Sequence, residues 1–151
     1  MIQTPWTTRP IVSVSRSSTY GPAKWLGITL QNILVQTPFT VWSSLEFSTV
    51  PPHCLLCTIN ATSMYTNIDT SHVLAVLEGF LHTSPFAEGI DNNACLDTIQ
   101  IIMLHKTFLF CNTTWLQKVG TAIGTPPTPS YAQLYYLVHE LMFAHTFPQL
   151  L

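Results

Sequence analysis

Apolar positions change their period several times along this chain, and each change predicts an element. The first twenty residues are extended in character: β-branched residues dominate, Pro5 and Pro10 interrupt them, and "PIVSVS" alternates with period two. From Gly21-Pro22 onward, Trp25-Leu26, Thr29-Leu30 and Ile33-Leu34 recur at helical spacing and predict a helix over 21–36. "TPFTVWSSLEFSTVPPH" reads as a loop with a short helical turn, closed by Pro51-Pro52. "CLLCTINATSMY" (54–65) then reads as a strand-like segment bounded by that proline pair and a Thr66-Asn67 turn. A second helix is expected from Asp69-Thr70-Ser71, residue types that cap helices, with Val73, Leu74, Val76, Leu77, Phe80 and Leu81 on its apolar face. Pro85 ends it.

"DNNACLDTIQIIMLHKT" predicts a third helix, with Cys95, Leu96, Ile99, Ile102 and Met103 on one side. "TFLFCNTTWLQKV" predicts a hairpin turning at Cys111-Asn112-Thr113. "GTAIGTPPTPS" is a Gly/Pro loop, and "YAQLYYLVHELMFAHTF" predicts a fourth helix. The order is strand, helix, strand, helix, helix, hairpin, loop, helix. That is an α+β fold, a small antiparallel sheet with helices packed on it. With no internal repeat and no linker, 151 residues make a single domain.

Composition narrows the picture. The chain is 47% hydrophobic with a mean hydropathy of +0.31 and a net charge of -2, which excludes intrinsic disorder. Only 8% of residues are charged, against roughly 25% in ordinary soluble domains, so the sequence reads as a piece of something larger or as one not selected for solubility. Five basic residues do not make a phosphate-binding face by number, although Arg9, Arg16 and Lys24 fall close together. The longest apolar window, "CLDTIQIIMLHKTFLFC", is broken by Asp97, His105 and Lys106, so no membrane-spanning helix and no membrane partner is expected. The first residues lack a charged-then-apolar leader pattern, which points to a nuclear or cytoplasmic setting with reduced thiols.

His53, Cys54 and Cys57 in "PHCLLC" could serve zinc or thiol chemistry, but Cys95 and Cys111 are too far apart in sequence to complete a ligand set. A free Cys in an apolar run is an ordinary core residue. The Asn-x-Thr triplets at Asn60 and Asn112 matter as glycosylation sites only in a secreted chain.

Three blocks, taken in order, resemble the reverse transcriptases of Penelope-like retroelements. They are "RPIVSVSRSSTYGPAKWL" (9–26), "NATSMYTNID" (60–69) and "QKVGTAIGTPPTPSYAQL" (117–134), and the likeness runs from about Arg9 to Glu140. The resemblance implies a partial fingers-palm, with fingers over about 1–50 and palm over about 51–151. It implies an ancestral RNA-directed DNA polymerase working on an RNA template and a DNA primer. In that chemistry carboxylates hold two Mg²⁺ ions that stabilise the attacking and leaving oxygens.

Residue roles follow from the same resemblance. Asn60 stands where the family has its first metal-binding aspartate, and Tyr65 where an aromatic ring screens out the 2′-hydroxyl of the nucleotide. Arg9 and Lys24 match basic positions of the fingers that contact nucleotide phosphates. Gln117, Lys118, Gly120, Thr121, Gly124 and Pro126 match the loop that meets template and primer, where glycine permits close backbone approach.

Two departures set the expected activity. An amide at Asn60 keeps the shape of aspartate but is a far poorer Mg²⁺ ligand, and Asp69 reads as a helix cap instead of a substitute. The family's Tyr-x-Asp-Asp hairpin and thumb have no counterpart, and the 151 residues contain no Asp-Asp pair. The expectation is a degenerate fragment that binds no Mg²⁺ and does not polymerise. Two other readings stay open: a residual nucleic-acid-binding module using Arg9, Lys24, Gln117 and Lys118, or a small zinc or thiol protein built on His53, Cys54 and Cys57.

Overall fold

The computed structural model describes Ile11, residues 17–37 and residues 62–148. Expectations that fall on 1–10, 12–16 and 38–61 lie outside the described residues. These include most of "PIVSVS", the loop after α1 and most of the strand over 54–65.

Five helices make up most of the described chain: α1 (Tyr20–Gln36), α2 (Met64–Asn67), α3 (Thr70–Thr83), α4 (Asn92–Leu104) and α5 (Thr128–Thr146). In α1 the buried positions Ala23, Leu26, Gly27, Leu30, Ile33 and Leu34 form one stripe, while Trp25 faces solvent. α3 begins where Asp69 Oδ1 accepts the His72 N–H at 2.8 Å, and it buries Val73, Leu77, Phe80 and Leu81. It gives way at Ser84 to a single 3-10 turn, Pro85–Ala87, as the proline requires. α4 repeats the capping device, with Asp91 Oδ1 accepting the Ala94 N–H at 3.0 Å, and it buries Cys95, Ile99, Ile102 and Met103. The core lies between α1, α3, α4 and α5: α1 packs on α5 and α4, and α3 packs on α4 and α5.

The helix expected over 131–147 begins earlier, at Thr128, with Pro127 as its cap and Pro129 inside the first turn. A proline there sacrifices no bond, because the first amides of a helix have no intrahelical acceptor. The Thr128 hydroxyl braces this start, donating to Ala122 O at 2.7 Å beside Thr125.

β1 (Thr107–Phe110) and β2 (Thr113–Leu116) pair antiparallel, from Thr107 opposite Leu116 to Phe110 opposite Thr113. The turn is the two residues Cys111 and Asn112, at φ +50° and +60°, so Thr113 belongs to β2. Positive φ at both central positions matches the twist of the flanking strands. The mixed α/β class and the small antiparallel sheet are therefore as the sequence predicts. The arrangement differs, because the helices pack chiefly on one another and every residue of β2 is exposed. Two strands of four residues offer too little apolar face to form a layer.

A second difference falls at the edge of the site. Met64 and Tyr65, expected as the end of a strand, lie in the single turn α2, entered through Ser63 at φ +53°. The amides of Thr66 and Asn67 both bond Ser63 O, at 3.0 and 3.1 Å, and Asn67 Nδ2 reaches back to Thr62 O at 3.1 Å. Those local bonds outweigh the strand preference of the preceding apolar run. No helix among the described residues is long and apolar enough to cross a membrane.

Candidate functional site

The loop joining β2 to α5, residues 117–127, gathers segments that are far apart in sequence. Gln117 opens it: its amide N–H bonds Lys106 O at 2.8 Å, and its Nε2 donates to Val119 O at 2.9 Å and Thr121 O at 3.3 Å. Gly120 follows at φ +76°. A Cβ there would lie 2.8 Å from Thr66 Cα and from Tyr65 O, so the bare glycine is what lets the loop rest on α2. Thr121 completes the clasp, its N–H donating to Tyr65 O at 2.7 Å and its hydroxyl to Met103 Sδ at 3.3 Å. Further on, Ile123 pairs with Ile11 in an isolated parallel bridge, and the Pro126 carbonyl lies against α1, 3.0 Å from where a Gly27 Cβ would be.

Tyr65, Gly120 and Thr121 are thus brought together, and their backbone groups bond one another. Thr121 is fully buried, and Gly120 uses its missing side chain for Thr66. Gln117 is turned into the loop, with its Oε1 buried and unpartnered. Lys118 and Gly124 (φ +101°) are exposed, and Pro126 is half-buried. Lys24 is exposed on α1 and shares with Pro126, Gln31 and Ser130 an open groove of about 370 Å³; Lys118 lines a different pocket. Asn60, Arg9, His53, Cys54 and Cys57 lie outside the described residues.

Sequence reasoning passed over Lys106, noting it only as a break in an apolar run. It is 4% exposed, and its Nζ donates to Gly120 O and, at 3.4 Å, to Thr70 Oγ1. No carboxylate among the described residues pairs with it, and burial pushes its pKa below the ordinary lysine value. One signal was available: a lone cation at the junction between a predicted helix and a predicted hairpin. A second cluster also went unread. His72 Nδ1 meets the Tyr135 hydroxyl at 2.9 Å, and the His139 ring lies 5.6 Å from that of His72, joining α3 to α5.

Asp69 is a cap in the structure, as its position predicts. Asp69→Ala should cost about 1 kcal/mol in urea denaturation, and Asp69→Asn close to nothing, because asparagine caps equally well. A carboxylate needed for its charge would instead make the two substitutions equally harmful. Among the described residues no group of three or more His, Cys, Asp or Glu could hold a metal ion. In comparisons with known proteins, no family model, no curated protein and no solved structure matches the chain.

Proposed function

We propose that the chain is part of the fingers and palm of a Penelope-like reverse transcriptase whose nucleotidyl-transfer site has decayed. One observation carries the reading. The second and third resembling blocks meet directly, through the bond from Thr121 N–H to Tyr65 O and the seating of Gly120 on Thr66. A ring that selects the sugar of the incoming nucleotide and a loop that meets the template have to be neighbours for that chemistry to work, since they act on the two partners of one base pair. The first block joins them through Ile11 and Ile123. Loss of catalysis rests on Asn60, whose neutral amide replaces an anionic oxygen where a hard cation would need one.

Template-directed primer extension tests the activity. The 151-residue chain should extend no primer on RNA or DNA templates with Mg²⁺ and deoxynucleotides, and Asn60→Asp alone should not restore extension. Extension by the unaltered chain would overturn the account of a decayed site. Binding to a primer–template duplex tests the family reading separately. Affinity should fall steeply with salt, and Lys24→Ala and Lys118→Ala should each reduce the log–log slope by about 1 if each contacts a phosphate. Absence of duplex binding at low salt would remove the polymerase reading altogether.

A further inference from the structure

Beside the first turn of α3 lies a pocket of about 220 Å³ whose wall includes Thr70, Ser71, Lys106, Gln117, Lys118 and Gly120. Lys106 contributes to this wall, as it does to that of a neighbouring cavity of about 430 Å³, and both acceptors of its Nζ, Gly120 O and Thr70 Oγ1, belong to residues that line the smaller one. Both acceptors are neutral, and an ammonium has three protons to place. A buried charge held only by neutral acceptors is costly, and an anion is the partner that offsets the cost.

Asp69 also lines the pocket, yet it does not neutralise Lys106. Its Oδ1 accepts the His72 N–H, and it forms no ion pair with Lys106. Its charge acts instead on α5, where the phenols of Tyr131 and Tyr135 are raised by burial first and by Asp69 in addition. Lys118 is exposed and adds a second positive charge to the wall, and Ser71 adds a hydroxyl. The His72 amide at the start of α3 is already capped by Asp69, so the positive groups left to face a ligand are the two ammoniums.

We propose that this pocket is an oxyanion site of the phosphate class, in which the ligand accepts hydrogen bonds from the Lys106 and Lys118 ammoniums and from the Ser71 hydroxyl. The site does not depend on the polymerase reading. The same group could arrive as free phosphate or as a phosphodiester of a nucleic-acid backbone.

The test is a titration of the full chain with inorganic phosphate, followed by ³¹P line width and by thermal shift, at constant ionic strength against chloride. Wild type should bind saturably. Lys118→Met should bind about three- to tenfold more weakly, since it loses one charge-assisted bond. Thr70→Asp is the decisive variant, because it places a carboxylate where a hydroxyl now sits 3.4 Å from the Lys106 nitrogen. Aspartate suits the first turn of a helix, so this variant should fold, supply the missing counter-charge and lose phosphate binding about a hundredfold or more. Lys106→Met should lose it equally; if that variant fails to fold, Thr70→Asp still decides. Phosphate binding no stronger than chloride, or binding unchanged in Thr70→Asp, would overturn the site.

A DNA oligonucleotide without terminal phosphate then separates the sources. If it displaces phosphate, the site holds a backbone phosphodiester; if it does not, the site holds free phosphate or a small monoester. Both results uphold the site, and failure to bind a primer–template duplex leaves it standing.

Discussion

Gly120→Ala should unfold the protein or bring it close to unfolding. Two costs fall on the same atom. At φ +76° an L-residue pays about 1–2 kcal/mol in the left-handed region. Its Cβ would stand 2.8 Å from Thr66 Cα and Tyr65 O and 2.9 Å from Thr66 O, and all three are backbone atoms that cannot rotate aside. Relieving that overlap typically costs about 1–3 kcal/mol more. Any shift also strains the Thr121–Tyr65 hydrogen bond and the contact from Lys106 Nζ to Gly120 O. The total, about 2–5 kcal/mol, is a large share of the 5–15 kcal/mol or so that holds an ordinary domain together.

Two further glycines separate these causes in urea denaturation. Gly89 has nearly the same backbone angle, φ +79°, with nothing within 4 Å of an added Cβ, so Gly89→Ala should lose only about 1–2 kcal/mol. Gly79 sits inside α3 with open space around it, and Gly79→Ala should gain up to about 1 kcal/mol of helix propensity. If Gly120→Ala cost no more than Gly89→Ala, the loop would not be clasped against α2.

The elements legible in the sequence are those where local preference and tertiary packing agree. α1, α3 and α4 lie close to where the apolar spacing puts them, because their stripes at Leu26, Val73 and Ile99 are the faces that meet in the core. The start of α5 lies earlier than the sequence predicts because "GTAIGTPPTPS" reads as a Gly/Pro loop, whereas Pro129 at the second helical position does no harm. Tyr65 reads as strand in the sequence because a short apolar run carries no period of its own, and the bonds to Ser63 O that make α2 leave no trace in composition.

The site was partly legible for the same kind of reason. Short blocks can mark Gln117, Gly120 and Thr121 as special, but not which way they face. Only the fold shows that Gly120 is filled by Thr66 and that the Gln117 amide is spent on its own loop. For Lys106 the sequence offers only its place as a lone cation where helix meets hairpin. Its meaning comes from Gly120, 14 residues away, and Thr70, 36 residues away, and a single lysine has no pattern.

Alkaline pH should expose a second large effect, and its sign can be worked out group by group. Burial, with a further push from Asp91, raises the Cys95 thiol from 9.0 to about 11. The folded chain then holds a proton that the unfolded chain releases, so the stability this contributes is complete below pH 9.0 and is lost as pH rises to about 11. At about 1.36 kcal/mol for each unit, the loss is at most about 3 kcal/mol. Tyr131 and Tyr135 are raised as well, by burial first, and they extend the loss above the ordinary tyrosine value of 10.0.

Lys106 works the other way. Its pKa is lowered by burial, so across the interval up to 10.5 the unfolded chain holds the extra proton and stability rises with pH. Between pH 9.0 and 10.0 the thiol and Lys106 oppose each other, and above 10.0 the two phenols join the thiol and turn the net slope downward. Urea denaturation from about pH 8 to about pH 11 in reducing buffer should therefore show falling stability, with the thiol's part of the fall setting in near pH 9.0. Cys95→Val, which removes the ionisable proton and adds only a methyl group's volume, should delay that onset to the tyrosine range; Lys106→Met should make the fall steeper. An onset unchanged in Cys95→Val would mean that the thiol is not enclosed between α4 and its neighbours. The same result would undercut the packing that positions Met103 beneath Thr121, on which the clasped loop depends.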